Sequence, residues 1–327
     1  MKIVVAGMHF ESILYFLRKN LPEGDSCQVD AFHLMEEVRE ATVIIPTMTR
    51  IGREIITAAA QLRLIQQWGA GLEGVDIVYA TERGVAVANI PTHGTGNAES
   101  VAEWCIMAAI ALSRGFPGIQ NSVEFGAPWG TPCGKSLTGK NAGIVGVGGI
   151  GKSLAQRLRP FEMRLIGVKR NPHHFPDGLG FEWVKGMSAL PELLIESDYV
   201  FLCLPQTEDT KCLFNHRTFQ TIKEGAYLIN ASRGGLIERE ALTEALQKDR
   251  LSGVALDVFW QEPTLAHDPL FQHPKVLVTP HIAGVTDVSY QGIAERVARN
   301  IRLVFSGKLP ENCVNPEVLS HRRWVQG

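Results

Sequence analysis

Several features are missing from this sequence, and each absence narrows what it can do. No apolar run is long enough to span a bilayer; the longest candidate, Val101–Leu112, contains Glu103 and stops at Ser113-Arg114. No secretory leader is recognisable, because Ile3–Met8 is too short and no small-residue cleavage site follows. Excess charge of one sign is missing too. Lys plus Arg number 32 and Asp plus Glu 34, a net charge of −2. That gives no electrostatic case for nucleic acid or an anionic membrane as partner. The cysteines (Cys27, Cys105, Cys133, Cys203, Cys212 and Cys313) form no CxxC pair, so neither a zinc ribbon nor a thioredoxin-type site is expected, and no metal. Free thiols in a reducing cytoplasm are the simple reading. Solenoid-spaced repeats and low-complexity segments are also missing.

What is present is an ordinary globular composition, 45% hydrophobic and 20% charged over 327 residues. At ~150 residues per domain, that length predicts about two domains. Short apolar runs alternate with helical periodicity, the pattern of parallel sheets. In the first region Ile3–Ala6, Val43–Ile45, Leu64–Gln67 and Val85–Ala88 read as strands, and Arg53–Gln61 as a helix. Tyr15-x-x-x-Lys19 spells a pair used by short-chain reductases, but it lies upstream of any nucleotide loop. It reads as an amphipathic helix with Tyr15 partly buried. Ser100–Leu112 reads as a long apolar helix. Arg114–Lys140 follows as an arm, with Phe116, Phe125 and Trp129 lacking periodicity. A second series has strands at Ala142–Val145, Arg164–Val168, Tyr199–Leu202, Ala226–Asn230, Gly253–Leu256 and Val276–Val278. Six strands match a full dinucleotide-binding sheet. Helices are expected at Ile150–Phe161 and Arg239–Asp249. Ser289–Phe305 is a further helix, with Ile293, Val297, Ile301 and Val304 on one face.

G-x-G-x-x-G occurs twice. Gly146-Val-Gly148-Gly149-Ile150-Gly151 follows a clean strand and opens a helix, the context that suits a dinucleotide pyrophosphate. The alternative is a tight turn without ligand. Gly69-Ala70-Gly71-Leu-Glu-Gly74 also follows a strand, but the helix after it is short and holds Glu73 and Asp76. It reads either as a loop whose N–H groups bind a small anion, such as a substrate carboxylate, or as a plain turn. Where an NAD-selective site carries an acidic residue, Lys169-Arg170 stands instead. A carboxylate repels a 2′-phosphate and two cations attract it, which favours NADP(H) over NAD; the alternative is a solvated basic pair.

Arg233, Asp257 with Glu262, and His281 all follow predicted strands. Ligands of open α/β sheets bind beyond the carboxyl ends of strands. Arg offers a fork for a carboxylate and polarises a carbonyl. His is a proton donor near neutrality, and a neighbouring carboxylate stabilises the imidazolium. Each residue also has a bland reading: a turn Arg, a helix-starting Glu-Pro, a structural His.

These motifs together resemble the D-isomer-specific 2-hydroxyacid dehydrogenase family. The likeness runs over nearly the whole chain. It includes Asn97–Glu103, Gly143–Gly151, Ser197–Pro205, Asn230–Gly235, Ala255–Phe259 with Glu262-Pro263, and Thr279–Gly284. The resemblance implies two doubly wound parallel-sheet domains. One is a flavodoxin-like substrate-binding domain (1–98 and 288–327), the other a Rossmann dinucleotide-binding domain (99–287). It implies that Arg233 binds the substrate carboxylate and carbonyl, that His281 donates the proton and that Glu262 pairs with it. The Ala70-Gly71 backbone would grip the carboxylate, with Asn97 near the reacting centre. Asp257 would hold the nicotinamide carboxamide. Leu204, Pro205 and Thr210 would border the adenosine, Ala231 and Ser232 the nicotinamide, and Gly284, at the end of the His281 motif, would be a further cofactor-binding residue. It implies a homodimer joined around Ser100–Lys140.

Departures from the family pattern are informative. Lys169-Arg170 replaces the usual acid. Glu73-Gly74 departs from an Asp/Asn pair, and Pro46-Thr47 stands where some members carry Arg-Ser, which weighs against phosphoglycerate. Pro280, not Gln, precedes His281, which weighs against formate. The reading reached is reduction of a small 2-oxo acid such as glyoxylate or hydroxypyruvate. The alternative is a dinucleotide-sensing co-repressor-like protein, disfavoured because no basic tail or disordered extension is present.

Overall fold

The computed structural model describes residues 1–10, 12–119, 126, 128–172 and 178–325. The chain divides into two units, Met1–Asn97 with Thr286–Gly327, and Ala98–Val285.

The first unit contains β1 (Lys2–Ala6), α1 (Ser12–Asn20), β2 (Asp25–Val29), α2 (Leu34–Glu37), β3 (Val43–Pro46), α3 (Arg53–Ala58), β4 (Leu64–Gln66), α4 (Ile77–Glu82) and β5 (Ala86–Ala88). Its five strands are parallel in the order β2-β1-β3-β4-β5, the flavodoxin-like order. The sheet is covered on both faces, so its strands read as continuous apolar runs. Ile3, Val5 and Ile45 join one core and Val4, Ala6 and Ile44 the other, as the two-residue repeat of a strand requires.

The chain continues through α5 (Asn97–Ser113) and α6 (Phe116–Ile119) into β6 (Asn141–Val145), α7 (Gly149–Leu158), β7 (Arg164–Val168) and β8 (Phe181–Lys185). Then come α8 (Leu190–Glu196), β9 (Tyr199–Leu202), α9 (His216–Thr221), β10 (Ala226–Asn230), α10 (Arg239–Gln247), β11 (Leu251–Leu256) and β12 (Val276–Val278). These seven strands run in the order β12-β11-β10-β9-β6-β7-β8. Counted within the unit this is the Rossmann order with one added strand, and the strand order reverses between β6 and β9.

After the second unit the chain returns to the first through α11 (Asp287–Phe305) and ends with α12 (Arg322–Val325). The side chain of Thr286 caps α11 by accepting from Ser289 N. Ile293, Val297, Ile301 and Val304 are buried against a core that includes Ile13 and Leu17 of α1. Burial of this kind contributes ~1.5–3 kcal/mol per large apolar side chain. Beyond α11, Asn315 accepts from Val87 N and donates to Val85 O. It thereby covers the edge of β5, whose backbone groups would otherwise stand open.

Some expectations need correction. The second sheet has seven strands, not six: β8, Phe-Glu-Trp-Val-Lys, is an edge strand whose charges break the apolar run. The edge strand β2, Asp-Ser-Cys-Gln-Val, lacks an apolar run for the same reason. Tyr15 lies on the outer face of α1 and is 66% exposed, not partly buried. Glu73 and Asp76 precede α4 rather than lying within it, and Asp76 caps that helix by accepting from Tyr79 N. Trp129 in the arm is 92% exposed, and Phe125 lies outside the described residues. Among the described residues no helix is long and apolar enough to cross a membrane. Nor does any cluster of His, Cys, Asp and Glu among them suit a metal.

Candidate active site

The glycine loop after β6 explains its own spelling. Gly146 has φ +101°, and a Cβ there would stand 2.6 Å from the Cys203 carbonyl carbon. Only glycine fits so tight a turn against β9. A Cβ on Gly151 would lie 2.3 Å from Gly146 O, so this position must be bare for α7 to approach β6. Gly148, by contrast, has nothing within 4 Å of its would-be Cβ. It is the N-cap of α7 and has no side chain to cap the helix. The loop is thus crowded behind and open in front, over a helix N-terminus with free N–H groups. A dinucleotide pyrophosphate fits this cradle. Ile150 packs on the core from the first turn of α7.

The loops around this cradle are held from within. Thr210 Oγ1 donates to Pro205 O across 2.9 Å and accepts from Thr207 N, closing the turn after Leu204. Ser232 Oγ donates to Leu202 O, so that hydroxyl ties the segment after β10 to the end of β9. Ala231 beside it is half-buried. Lys169 and Arg170 follow β7 directly; Lys169 N donates to Lys185 O, and the Arg170 side chain is exposed. Burial pushes the Cys203 thiol up to about 12, so it packs as a small apolar group.

Arg233, Glu262 and His281 come together in this unit. His281 Nδ1 donates to Glu262 Oε2 across 2.7 Å. Glu262 Oε1 accepts from Phe259 N, also at 2.7 Å. Burial alone would raise the Glu262 carboxyl. The hydrogen bond and charge of His281, the Phe259 N–H and the nearby Arg233 outweigh it and hold the carboxyl below its usual range. With Nδ1 engaged, Nε2 is the ring nitrogen turned away from the carboxylate. Arg233 is extended and half-buried, and its guanidinium donates to Ser232 O. Asn230 Nδ2 donates to Arg233 O. The Gly in Arg-Gly has a steric reason: a Cβ on Gly234 would sit 2.1 Å from the Phe259 carbonyl. Backbone therefore touches backbone, and the Arg233 segment lies against the loop that carries Glu262.

Asp257 follows β11 directly and is 1% exposed. Its Oδ1 accepts from Thr279 Oγ1 and Ile282 N, and its Oδ2 from Ala283 N. Burial pushes its carboxyl above the usual range, against those bonds and the charge of His281. His281 itself has φ +55°, a left-handed conformation uncommon outside glycine. Gly284 ends this turn half-buried.

Ala70, Gly71 and Asn97 belong to the first unit. Asn89 Nδ2 donates to Ala70 O at 2.7 Å and Ile90 N to Gly69 O, fixing the loop after β4. Asn97 opens α5 and its amide donates to Ser289 Oγ at 3.2 Å. Neither Thr279 nor Asn230 is among the candidates that the sequence singles out. A polar residue two places before the His, and one at the end of a buried strand, are the signals that could have found them.

A doubly wound dinucleotide-binding unit with an Arg, Glu and His beyond its strand ends defines a class, the nicotinamide-dependent oxidoreductases. Comparison with known proteins narrows it. Residues 106–283 match the family model for the D-isomer specific 2-hydroxyacid dehydrogenase NAD binding domain. Glyoxylate reductase of Thermococcus onnurineus is 33% identical over 91% of this chain and 90% of its own. Glyoxylate reductase of Thermococcus litoralis is 30% identical over 93% and 97%. The solved structure of the pyruvate reductase of Chlamydomonas reinhardtii is 27% identical, with a TM-score of 0.82 over 95% of this chain and 98% of that one. The chain belongs to the D-isomer-specific 2-hydroxyacid dehydrogenase family.

Proposed function

We propose that this protein reduces a small 2-oxo acid to the D-2-hydroxy acid, with NADPH as preferred reductant and NADH as the weaker one. The observation that carries this reading is the 2.7 Å bond between His281 Nδ1 and Glu262 Oε2 beside Arg233. Arg233 takes the substrate carboxylate in its planar fork and polarises the keto oxygen. His281 Nε2 gives its proton to that oxygen, and Glu262 stabilises the imidazolium and fixes the ring. A reduced nicotinamide, when bound, supplies the hydride. In the substrate-binding domain read from the sequence, residues 1–98 and 288–327, the Ala70-Gly71 backbone and Asn97 are the substrate-binding candidates. Asp257 faces the nicotinamide end, with Ala231 and Ser232. Leu204, Pro205 and Thr210 border the adenosine, and the Gly146–Gly151 loop takes the pyrophosphate.

Two glyoxylate reductases among the relatives make glyoxylate and hydroxypyruvate the substrates to try first. The preference for NADPH rests on Lys169-Arg170, where two cations meet a 2′-phosphate. Two copies pair through α5 and the segment that follows, whose Met107, Ile110, Phe116 and Trp129 stand exposed. The protein works in the cytoplasm, where its free thiols persist.

The test is the initial rate of NADPH and NADH oxidation across a panel of 2-oxo acids. Turnover of glyoxylate or hydroxypyruvate is expected, lost in His281→Ala while dinucleotide binding remains. No turnover of any 2-oxo acid would sink the reading. Replacing Lys169 and Arg170 by neutral residues should weaken NADPH by about tenfold or more, since the substitutions remove charge-assisted hydrogen bonds to the phosphate. NADH should hardly change; equal effects on both cofactors would remove the 2′-phosphate argument.

A further inference from the structure

Asp257 is bonded to the His281 turn through both its side chain and its backbone. Its carboxylate receives Thr279 Oγ1 at 2.5 Å, Ile282 N at 2.8 Å and Ala283 N at 2.8 Å. Its own carbonyl receives His281 N at 2.9 Å. One residue thus holds the turn on both sides of His281, at 279 and at 282–283. A carboxylate offers about four acceptor positions, and three are already taken within the chain. The group is also 1% exposed, so water does not compete for those bonds.

The turn needs such a hold. His281 adopts φ +55°, and a left-handed non-glycine residue costs ~1–3 kcal/mol unless its surroundings fix it. Pro280 restricts the residue before it but does not set φ at 281. The bonds from Asp257 do. They orient the backbone from which the imidazole projects, so that Nδ1 meets Glu262.

We propose that Asp257 and Thr279 form a clamp that positions His281, with the Thr279 hydroxyl as a positioning group for the reaction. The clamp rests on the acid role proposed for His281 and deepens it. Thr279 Oγ1 fixes the Asp257 side chain in the rotamer that receives Ile282 N and Ala283 N. Without that bond the carboxylate can turn, and the two amides lose their acceptor. Holding the acid within a fraction of an ångström matters, because a misplacement of ~1 Å can cost about 100-fold in rate.

Three variants test this in the full-length protein: Thr279→Val, Thr279→Ser and Asp257→Asn. Thr279→Val should lower kcat by about tenfold, with KM and the NADP+ Kd from calorimetry nearly unchanged. Thr279→Ser keeps the hydroxyl and should restore kcat. Asp257→Asn turns an N–H₂ group toward an N–H donor and should cost about 100-fold in kcat. Amide hydrogen exchange at Ile282 and Ala283 should quicken in Thr279→Val and return toward normal in Thr279→Ser. Full kcat and unchanged exchange in Thr279→Val would overturn the clamp. So would weakened dinucleotide binding with full kcat at saturation in Asp257→Asn, which would leave the carboxylate a nicotinamide ligand with no hold on His281. If the unaltered protein turns over no 2-oxo acid, the proposed function fails, and the exchange rates still decide the clamp.

Discussion

Two loops in this chain spell the same glycine motif, and the fold uses them differently. Gly146–Gly151 is sterically obligatory. Its first glycine abuts the Cys203 carbonyl with φ +101°, and a Cβ on its third would stand 2.3 Å from Gly146 O. A ten-residue helix starts within it. Gly69 and Gly74 are under no such pressure. Nothing lies within 4 Å of a Cβ on Gly69, and one on Gly74 would meet Arg50 Cα at an ordinary 3.7 Å. No helix opens there until Ile77. The spelling G-x-G-x-x-G therefore carries meaning only where backbone crowds backbone. In the first unit the glycines leave a loop bare; in the second they let a helix end come close to a strand.

The largest effect should come from filling the crowded position. Gly151→Ala places a methyl group against the backbone of Gly146, so α7 must move away from β6. A loss of ~3 kcal/mol or more in urea denaturation is expected. A normal midpoint would mean the two loops do not differ as described.

Gly148→Ala separates the two demands within the crowded loop. The space there is open, so stability should change by under ~1 kcal/mol. The methyl group then occupies ground a pyrophosphate needs, and NADP+ affinity in calorimetry should fall by about tenfold or more, roughly 1.4 kcal/mol. Unchanged affinity would place the pyrophosphate elsewhere.

A third test extends the comparison from sterics to charge. The first loop is held by a neutral amide, Asn89 to Ala70, and the second unit's site by the Glu262–His281 pair. The Glu262 carboxyl titrates below its usual range when folded. Its stabilising contribution is therefore complete above the ordinary Glu value near ~4.3 and is lost as pH falls through the lower folded value. The stability gap between the unaltered protein and Glu262→Gln should be full at neutral pH and close in acid. The gap for Asn89→Ala should stay constant over the same range. A constant gap for Glu262→Gln would break the contrast.

The smallest effect is expected from Gly74→Ala, within ~0.5 kcal/mol in the same denaturation experiment. A large loss there would show that the first loop is as constrained as the second.

Much of this architecture is legible in the residues. Central parallel strands are buried on both faces, so Val43–Pro46 and Tyr199–Leu202 announce themselves as apolar runs. Edge strands are not so constrained. Asp25–Val29 and Phe181–Lys185 carry charges toward water and do not show that pattern. Tyr15 shows the converse error, since an aromatic residue on an amphipathic helix need not face the core. At the site, Arg233, Glu262 and His281 stand out as candidates because each follows a strand end. The bonds that join them do not. Whether Thr279 and Asp257 meet depends on the path of a turn with a left-handed residue in it, which no periodicity encodes. The steric need at Gly234 is hidden for the same reason, because it comes from Phe259, distant in sequence.

That backbone contact at Gly234 also limits how the protein can be altered. The segment carrying the guanidinium and the loop carrying the carboxylate touch with no side chain between them. Any residue larger than glycine would prise the two apart, so variation at 234 cannot tune one without disturbing the other. Laboratory evolution of this site would therefore leave the Arg-Gly step untouched.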